Sequence, residues 1–158
     1  MVSIIITSYN YGKYIERAIR SCLDQTLDNS EYEIIIVNDC STDFTEKILE
    51  NYKSEARVFN LKKNIGLSAA RNFGIKQSKG QFVVFLDADD YLHNQIISIE
   101  KLFLEENNSL DAVSVDYYQV DERGNHKKYF NAEKNPIACG IMFRKDLLYD
   151  VGLYDENF

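Results

Sequence analysis

Short apolar runs alternate with segments of helical periodicity along most of this 158-residue chain, and this alternation limits the fold more than any other feature. The runs at 2–7, 33–37 and 82–86 are rich in β-branched or aromatic residues, which is typical of strands buried on both faces of a parallel sheet. Between the first two runs, apolar side chains recur at helical spacing over 15–23. Strands and helices that alternate over short connections form βαβ units. The sequence therefore predicts an α/β fold with a mainly parallel sheet and helices on both of its faces.

The same criteria place further elements along the chain, whose length suits one domain that spans 1–158. Predicted strands cover 2–7, 33–37, 58–60, 82–86, 112–120 and 140–143, and predicted helices cover 15–23, 44–52, 67–76, 96–104 and 145–149. The segment 121–136 is polar and contains the turn signal Gly124-Asn125, so it predicts a hairpin or a mobile loop.

Composition and charge argue against several classes of function. The net charge is -7 and the sequence has no run of lysine or arginine, so we expect no nucleic-acid partner. Cys22, Cys40 and Cys139 form no CxxC pair, and their odd number fits reduced thiols better than a disulfide framework or a zinc site. The apolar N-terminal run is too short to span a membrane and follows no basic region. These features predict a cytoplasmic protein.

Three carboxylates, Asp87, Asp89 and Asp90, follow the apolar run 82–86 directly. Ligands of open α/β sheets bind beyond the carboxyl ends of the strands, so these acids lie at a predicted binding edge. Like charges this close repel each other and favour a bound cation, and hard oxygen ligands select Mg²⁺ or Mn²⁺. On extended backbone Asp87 and Asp89 point to the same side, roughly 7 Å apart. They are the predicted metal ligands, whereas Asp90 either joins this site or caps the next helix.

The loops after the first, second and fourth predicted strands should meet at this same edge, because the parallel strands end there together. Tyr9 can stack on a planar ring such as a nucleobase, and Asp39 can accept a hydrogen bond from a ring N–H. Arg71 can bind a diphosphate bidentately, or it can pair with a carboxylate. Thr7, at the end of the first predicted strand, is a further candidate site residue at this edge. Base, diphosphate and metal together indicate a nucleotide-diphosphate ligand.

Missing motifs and neighbouring residues limit the kind of nucleotide site that the sequence predicts. The sequence contains neither GxGxxG nor GxxxxGK[ST], which argues against a dinucleotide oxidoreductase and a P-loop NTPase. Tyr11 competes with Tyr9 for the stacking role. Asp43 is followed three residues later by Glu46, which resembles a capping box, so Asp43 is interpreted as a helix cap.

Four ordered segments of the chain resemble the inverting family 2 glycosyltransferases of the GT-A fold, a Rossmann-like α/β architecture. The segments are 3–10 (SIIITSYN), 37–43 (VNDCSTD), 64–72 (NIGLSAARN) and 85–90 (FLDADD). The resemblance covers almost the whole chain. It implies a metal-dependent, inverting transfer of a sugar from a nucleotide diphosphate, usually UDP, to a hydroxyl of a glycan, lipid or protein acceptor.

The resemblance also implies roles for individual positions. Contacts to the nucleobase, usually uracil, are expected from Thr7, Tyr9 and Asp39. Arg71 is expected near the base and the diphosphate. The pair Asp87 and Asp89 is expected to bind the ribose and the Mn²⁺ or Mg²⁺ ion that bridges the phosphates, with Asp89 as the principal metal ligand.

The chain departs from the family pattern at several positions. Thr7 stands where many members have proline, and Asn38 and Cys40 replace a common aspartate and glycine. The final stretch 152–158 (GLYDENF) resembles the one that precedes the family's Glu-Asp pair, whose aspartate is the general base, but no such pair follows. We therefore assign no catalytic residue and interpret 1–158 as an N-terminal nucleotide-sugar-binding domain that is incomplete at its C-terminus.

Two alternatives remain from the sequence. Without a general base, the chain can be a catalytically inert nucleotide-sugar-binding domain. A sugar nucleotidyltransferase would need a basic, glycine-rich loop after the first strand, and 8–13 (SYNYGK) is a poor version of one. If the chain serves polysaccharide biosynthesis, its acceptor can bring it to a membrane as a peripheral partner.

Overall fold

The apolar runs form the strands of one six-stranded sheet in the computed structural model, which describes residues 1–157. A separate two-stranded hairpin and five α-helices complete this described part of the chain. The strands are β1 Val2–Ser8, β2 Tyr32–Asn38, β3 Arg57–Asn60, β4 Phe82–Asp87, β5 Ala112–Val113, β6 Tyr117–Val120, β7 His126–Phe130 and β8 Met142–Arg144. The helices are α1 Ile15–Leu23, α2 Thr45–Leu49, α3 Leu67–Gln77, α4 Ile96–Glu106 and α5 Lys145–Asp150, and a 3₁₀ turn, Glu50–Tyr52, extends α2.

The six strands of the main sheet lie in the order β3-β2-β1-β4-β8-β5. Strands β1 to β4 are parallel, and β8 is antiparallel to both β4 and β5. The predicted mainly parallel sheet is therefore confirmed. From β1 the chain passes to β2 and β3 on one side and then returns to β4 on the other. The strand order thus reverses at β1, and ligands of open α/β sheets bind at such a switch point.

The strand register aligns the carboxyl ends that carry the predicted site. Thr7 near the end of β1 lies opposite Val37 of β2 on one side and opposite Asp87 of β4 on the other. The loops that leave these three strands therefore start side by side at one edge of the sheet.

The core consists of two hydrophobic clusters, one on each face of the sheet. Ile4 and Ile6 of β1 pack in the cluster that includes residues of α1, α2 and α4, whereas Ile5 packs with residues of α3 and α5. The predicted helices on both faces are thus confirmed. Helix α3 approaches β1 closely because Gly74 lacks a side chain: a Cβ there would lie 2.5 Å from Cγ2 of Ile5.

The predicted strand 112–120 is wrong as a single element. It is divided into β5 in the main sheet and β6, which pairs with β7 in the hairpin. The break contains Asp116, whose carboxylate accepts hydrogen bonds from the Ala132 N–H and from the Asn131 and Tyr129 side chains. Composition gives no sign of this change of sheet, because both pieces are rich in apolar and aromatic residues.

The predicted turn at Gly124-Asn125 is confirmed. The Asp121 carboxylate accepts hydrogen bonds from the backbone N–H groups of Arg123 and Asn125, and Gly124 adopts a φ of 81°. None of the helices in residues 1–157 is long and apolar enough to cross a membrane.

Candidate functional site

A cleft of about 580 Å³ opens at the carboxyl edge of the sheet, at the switch point above β1. It is lined by the ends of β1 and β4, by the loops that follow β1 and β2, and by the start of α3. The lining residues are Thr7, Ser8, Tyr9, Tyr11, Asp39, Asn64, Gly66, Leu67, Ala70, Asp87, Ala88 and Asp89. The fold therefore brings together five of the six site residues predicted from the sequence, and Arg71 is the exception.

Asp39 joins the loop after β2 to the segment that begins α3. Its carboxylate is buried, and its two oxygens accept hydrogen bonds from the backbone N–H groups of Ile65 at 2.8 Å and Gly66 at 2.9 Å. Gly66 adopts a φ of 85°, a conformation that favours glycine. Since each carboxylate oxygen has two lone pairs, Asp39 can accept a further hydrogen bond from a ligand in the cleft.

The loop after β1 is held in place by the loop after β2. The Asn10 side chain accepts hydrogen bonds from the backbone N–H groups of Thr42 and Asp43, and the Asn10 N–H donates to the Ser41 hydroxyl. Tyr9, which is 45% exposed, is presented to the cleft by this braced loop. Tyr11 also lines the cleft, so both candidates for the stacking role are in place.

Asp43 lies outside the cleft lining and bonds to backbone instead. Its carboxylate accepts hydrogen bonds from the N–H of Thr45 at the start of α2 and from the N–H of Gly12. These bonds lower the pKa of Asp43 despite the opposing effect of desolvation, which is the largest single cause. Asp43 therefore bonds to the backbone at the start of α2, but the interpretation of Asp43 as its cap is wrong, because the capping position is Phe44 and Glu46 bonds to the Asn60 side chain rather than completing a capping box.

Arg71 contacts Asp87 and does not line the cleft. Its guanidinium donates a hydrogen bond of 2.8 Å to Oδ1 of Asp87, and the Arg71 side chain is only 8% exposed. It lies over the rings of Phe85 and Tyr154, 5.6 Å and 5.4 Å from their centroids. Of the two roles considered from the sequence, the structure therefore shows the pairing with a carboxylate, in a buried rather than a surface position.

The two predicted metal ligands both reach the cleft. Asp87 is 38% exposed, and its second oxygen, Oδ2, has no hydrogen-bond partner among residues 1–157. Asp89 is exposed, and the Arg17 side chain donates a hydrogen bond to its backbone carbonyl oxygen. The residues described contain no group of three or more His, Cys, Asp or Glu side chains arranged to hold a metal ion by themselves. Two accessible carboxylates instead fit an ion such as Mg²⁺, which is completed by phosphate oxygens and water.

Asp90 turns away from this cleft, because a turn in which its N–H bonds to the Asp87 carbonyl reverses the chain. It lines a second cleft instead. Desolvation by burial is the largest cause that raises the pKa of Asp90, and the negative charges of Asp89 and Asp87 raise this pKa further. A hydrogen bond with Cys139 acts in the opposite direction. Its alternative role as a helix cap is wrong, because α4 begins six positions later at Ile96 with Gln95 as its capping position.

Comparison with protein-family models shows the family to which this chain belongs. The family model described as "Glycosyl transferase family 2" matches residues 3–152, which is nearly the whole chain. The chain belongs to glycosyl transferase family 2. The resemblance inferred from the four segments is thereby confirmed, and so is the GT-A-type α/β fold, which also agrees with solved relatives.

Among curated relatives of this family 2 chain is TarP of Staphylococcus aureus strain N315, a poly(ribitol-phosphate) β-N-acetylglucosaminyltransferase. The two are 36% identical over 151 residues, which cover 94% of this chain and 46% of TarP. The uncharacterized glycosyltransferase EpsJ of Bacillus subtilis strain 168 is 43% identical over 122 residues, covering 75% of this chain and 34% of EpsJ.

A similar solved structure is that of residues 1–349 of S. aureus TarS in complex with UDP. It is 29% identical, has a TM-score of 0.84, and the match covers 99% of this chain and 50% of the TarS chain. TarS 1–349 has also been solved in complex with UDP-GlcNAc. This family 2 chain spans half or less of the length of these relatives.

Several cleft residues were not among the predicted site residues. Asn64, Gly66, Leu67 and Ala70 line the cleft, and the signal that could have found them is their place in segment 64–72, which carries the family resemblance. Asn72, in the same segment, is buried and exchanges hydrogen bonds with the backbone N–H and carbonyl of Tyr154. It thereby holds the C-terminal segment beside Arg71.

Proposed function

We propose that this family 2 chain binds a nucleotide-diphosphate sugar, with UDP as the nucleotide, in the cleft at the carboxyl edge of its sheet. The observation that carries the proposal is the convergence of Thr7, Tyr9, Asp39, Asp87 and Asp89 on this one cleft from three different strands. The complexes of TarS with UDP and with UDP-GlcNAc support it, because that relative shares the fold at 29% identity.

The base is proposed to lie between the loops after β1 and β2. The exposed ring of Tyr9 provides a stacking surface, and Asp39 retains acceptor capacity for a ring N–H such as N3–H of uracil. Thr7 lies next to Asp87 in the sheet register and therefore between the base and the carboxylates. Since the N–H groups of Ile65 and Gly66 already fix Asp39, the base would bind a largely preformed site.

The diphosphate is proposed to bind together with Mn²⁺ or Mg²⁺ at Asp87 and Asp89. When bound, such an ion neutralises charge that develops on the leaving diphosphate. In this arrangement Asp89 and Oδ2 of Asp87 face the ligand, while Arg71 holds Oδ1 of Asp87 from the buried side. Arg71 is therefore proposed as a positioning residue that acts through Asp87.

In the whole protein, this site is proposed to serve an inverting, metal-dependent transfer of the sugar to a hydroxyl of a glycan, lipid or protein acceptor. Such a transfer needs an acceptor hydroxyl deprotonated opposite the leaving nucleotide, a contribution that general bases make at about 10²–10⁴-fold. We assign no general base within residues 1–157. A cytoplasmic location, with any membrane contact made through the acceptor, stays a prediction.

Isothermal titration calorimetry with UDP and Mn²⁺ tests the donor site directly. We expect heat of binding for UDP that is reduced when Mn²⁺ is withheld, and weaker binding of ADP, CDP and GDP under the same conditions. Failure of all four nucleotides to bind would contradict the proposal.

Incubation with UDP-GlcNAc, UDP-glucose and UDP-galactose separates a transferase site from an inert binding domain. Slow release of free sugar, measured by NMR, would support a competent donor site even without an acceptor. Binding of UDP with no sugar released or transferred from any donor would favour the alternative of a catalytically inert domain.

A further inference from the structure

The segment 88–95, which carries Asp89, belongs to neither a strand nor a helix. Strand β4 ends at Asp87 and helix α4 begins at Ile96. Beyond Asp89 the segment leads into the second cleft, which residues of β6 and β7 also line. An irregular segment lacks the repeating hydrogen bonds of a strand or a helix, so its position depends on individual contacts to its backbone.

Three polar side chains at intervals of four residues make such contacts. Arg17 and Ser21 lie on α1, and Gln25 follows the last residue of this helix by two positions. Side chains four residues apart lie one above the other on the same face of a helix. The buried residues of α1 pack in the core cluster that includes Ile4 and Ile6 of β1, and they are Ile15, Ala18, Ile19 and Cys22. The sheet therefore fixes the position from which the polar side chains reach out.

Arg17 bonds to the aspartate turn itself. Its Nη2 donates a hydrogen bond of 3.1 Å to the backbone carbonyl oxygen of Asp89, and its guanidinium carbon lies 4.5 Å from the centroid of the Tyr91 ring. The carbonyl and the carboxylate of Asp89 branch from the same Cα atom. A bond that fixes this carbonyl therefore also fixes the backbone from which the carboxylate projects.

Ser21 and Gln25 hold the backbone that follows. The Ser21 hydroxyl accepts a hydrogen bond of 3.0 Å from the Leu92 N–H. Gln25 is buried, and its side-chain amide donates to the His93 carbonyl at 3.0 Å and accepts from the Ile97 N–H at 3.3 Å. The same face of the chain thus fixes the segment from the aspartate turn to the first residues of α4.

The two proposed metal ligands are held from opposite faces of the sheet. Arg71 of α3 bonds to the Asp87 carboxylate, and α3 packs in one core cluster. Arg17 bonds to the Asp89 backbone, and its helix α1 packs in the other cluster. An ion such as Mg²⁺ demands near-ideal octahedral geometry, so a site with two protein ligands depends on their relative position. Separate supports for the two carboxylates meet this demand.

From these contacts we infer that Arg17 is a positioning residue, which fixes Asp89 relative to Asp87 and thereby prepares the metal site before the nucleotide binds. The inference rests on the proposed function, since it adds a residue to that same site. Ser21 supports the same segment through a bond that involves no charge.

Isothermal titration calorimetry of the Arg17→Met chain with UDP, in the presence and absence of Mn²⁺, tests the inference. Methionine cannot donate to the Asp89 carbonyl. We expect the UDP affinity in Mn²⁺ to fall by about tenfold, as is typical when a metal ligand loses a supporting partner, and the affinity without metal to change by less than about twofold. Arg17→Lys retains a donor and should keep most of the affinity in Mn²⁺.

Arg20→Met is the matched control, because Arg20 lies on the same helix but pairs with Glu16. It should leave both affinities unchanged. Ser21→Ala is the second test variant, since it removes the acceptor of the Leu92 N–H. It should lower the UDP affinity in Mn²⁺ more than the affinity without metal. Circular dichroism checks that each variant is folded.

Three results would overturn the inference and leave the donor site intact: an unchanged UDP affinity of Arg17→Met in Mn²⁺, an equal loss with and without Mn²⁺, or an affinity of Arg17→Lys as low as that of Arg17→Met. Binding of UDP to the unmodified chain that Mn²⁺ does not strengthen would overturn the inference together with the proposed metal site. An unmodified chain that binds no UDP would contradict the proposed function as a whole, and this inference with it.

Discussion

Asp39 is a residue whose single carboxylate stabilises the fold and is also proposed to bind the ligand. Its two oxygens accept hydrogen bonds from two backbone N–H groups of the segment before α3, and the side chain also lines the cleft that is proposed to bind the nucleotide. Charge-assisted bonds of this kind are stronger than neutral ones and fix the side chain in one orientation. The structural role of Asp39 and its proposed role in binding both depend on the two acceptor oxygens of its carboxylate.

Asp39→Asn is therefore expected to lower both stability and UDP affinity. The asparagine offers one oxygen, so its NH₂ group would face the N–H of Ile65 or Gly66, at a cost of about 1–3 kcal/mol. Thermal denaturation and calorimetry with UDP measure the two effects. Asp150→Asn, an exposed change outside both clefts, should alter neither. An Asp39→Asn chain with unchanged melting temperature and affinity would show that these bonds contribute nothing.

Arg71→Met tests the role of a buried residue that touches the site only through Asp87. Methionine preserves length but cannot donate to Oδ1 of Asp87, and loss of such supporting partners typically weakens metal binding by about 10–100-fold. We expect UDP affinity in Mn²⁺ to fall much more than affinity without metal. Calorimetry in both conditions measures the difference.

Arg20→Met is the matched control for that experiment, because Arg20 pairs with Glu16 on the exposed surface of α1. It should change neither stability nor binding. An equal loss of UDP affinity with and without Mn²⁺ in the Arg71→Met chain would argue that Arg71 acts only on the fold.

At the scale of elements, helix α4 buries an acidic side chain and exposes apolar ones, which is the reverse of the usual distribution. Glu100 is fully buried and both of its carboxylate oxygens lack a hydrogen-bond partner among the described residues, while Leu102 and Phe103 of the same helix are exposed. Desolvation raises the pKa of Glu100 to about 9. The acid is therefore protonated in the folded chain at neutral pH, whereas it is ionised in the unfolded chain.

Glu100→Met is expected to stabilise the protein, and more so at high pH. Because the folded pKa lies above the unfolded value of 4.5, the unmodified chain is most stable below that value and loses stability as pH rises toward 9. The variant lacks this loss, so its advantage should be roughly 4 kcal/mol larger at pH 8 than at pH 5. Urea denaturation at the two values measures it. Glu106→Met, at an exposed position of α4, is the control, and an advantage independent of pH would contradict the assignment.

At the scale of the whole molecule, donor binding should stabilise the entire fold, because the cleft is built from β1, β2, β4 and α3 together. A ligand present at 100 times its dissociation constant adds about 2.7 kcal/mol to the free energy of unfolding. We expect UDP with Mn²⁺ to raise the melting temperature and EDTA to reverse part of that rise. Asp89→Asn should abolish the EDTA-sensitive part and retain the remainder. A rise in melting temperature that EDTA does not affect would count against a metal at Asp87 and Asp89.

Much of this architecture could be predicted from local sequence. The apolar runs and helical periodicities placed the parallel strands, and the carboxyl ends of such strands necessarily meet at one edge. This pattern predicts that Thr7, Tyr9, Asp39, Asp87 and Asp89 lie together, and they do line one cleft. The signal was strong because burial on both faces leaves few alternatives for a run such as 82–86.

Tertiary structure alone decided the features that depend on how elements pack against each other. Arg71 pairs with Asp87 because Gly74 allows α3 to lie close against β1. Asp90 enters the second cleft because a turn reverses the chain after Asp87, and the hairpin completes that cleft because β6 leaves the main sheet. Hydrophobic pattern and spacing determine which segments are buried. The direction of a side chain at the end of a strand is instead set by contacts between residues distant in sequence, which local pattern does not encode.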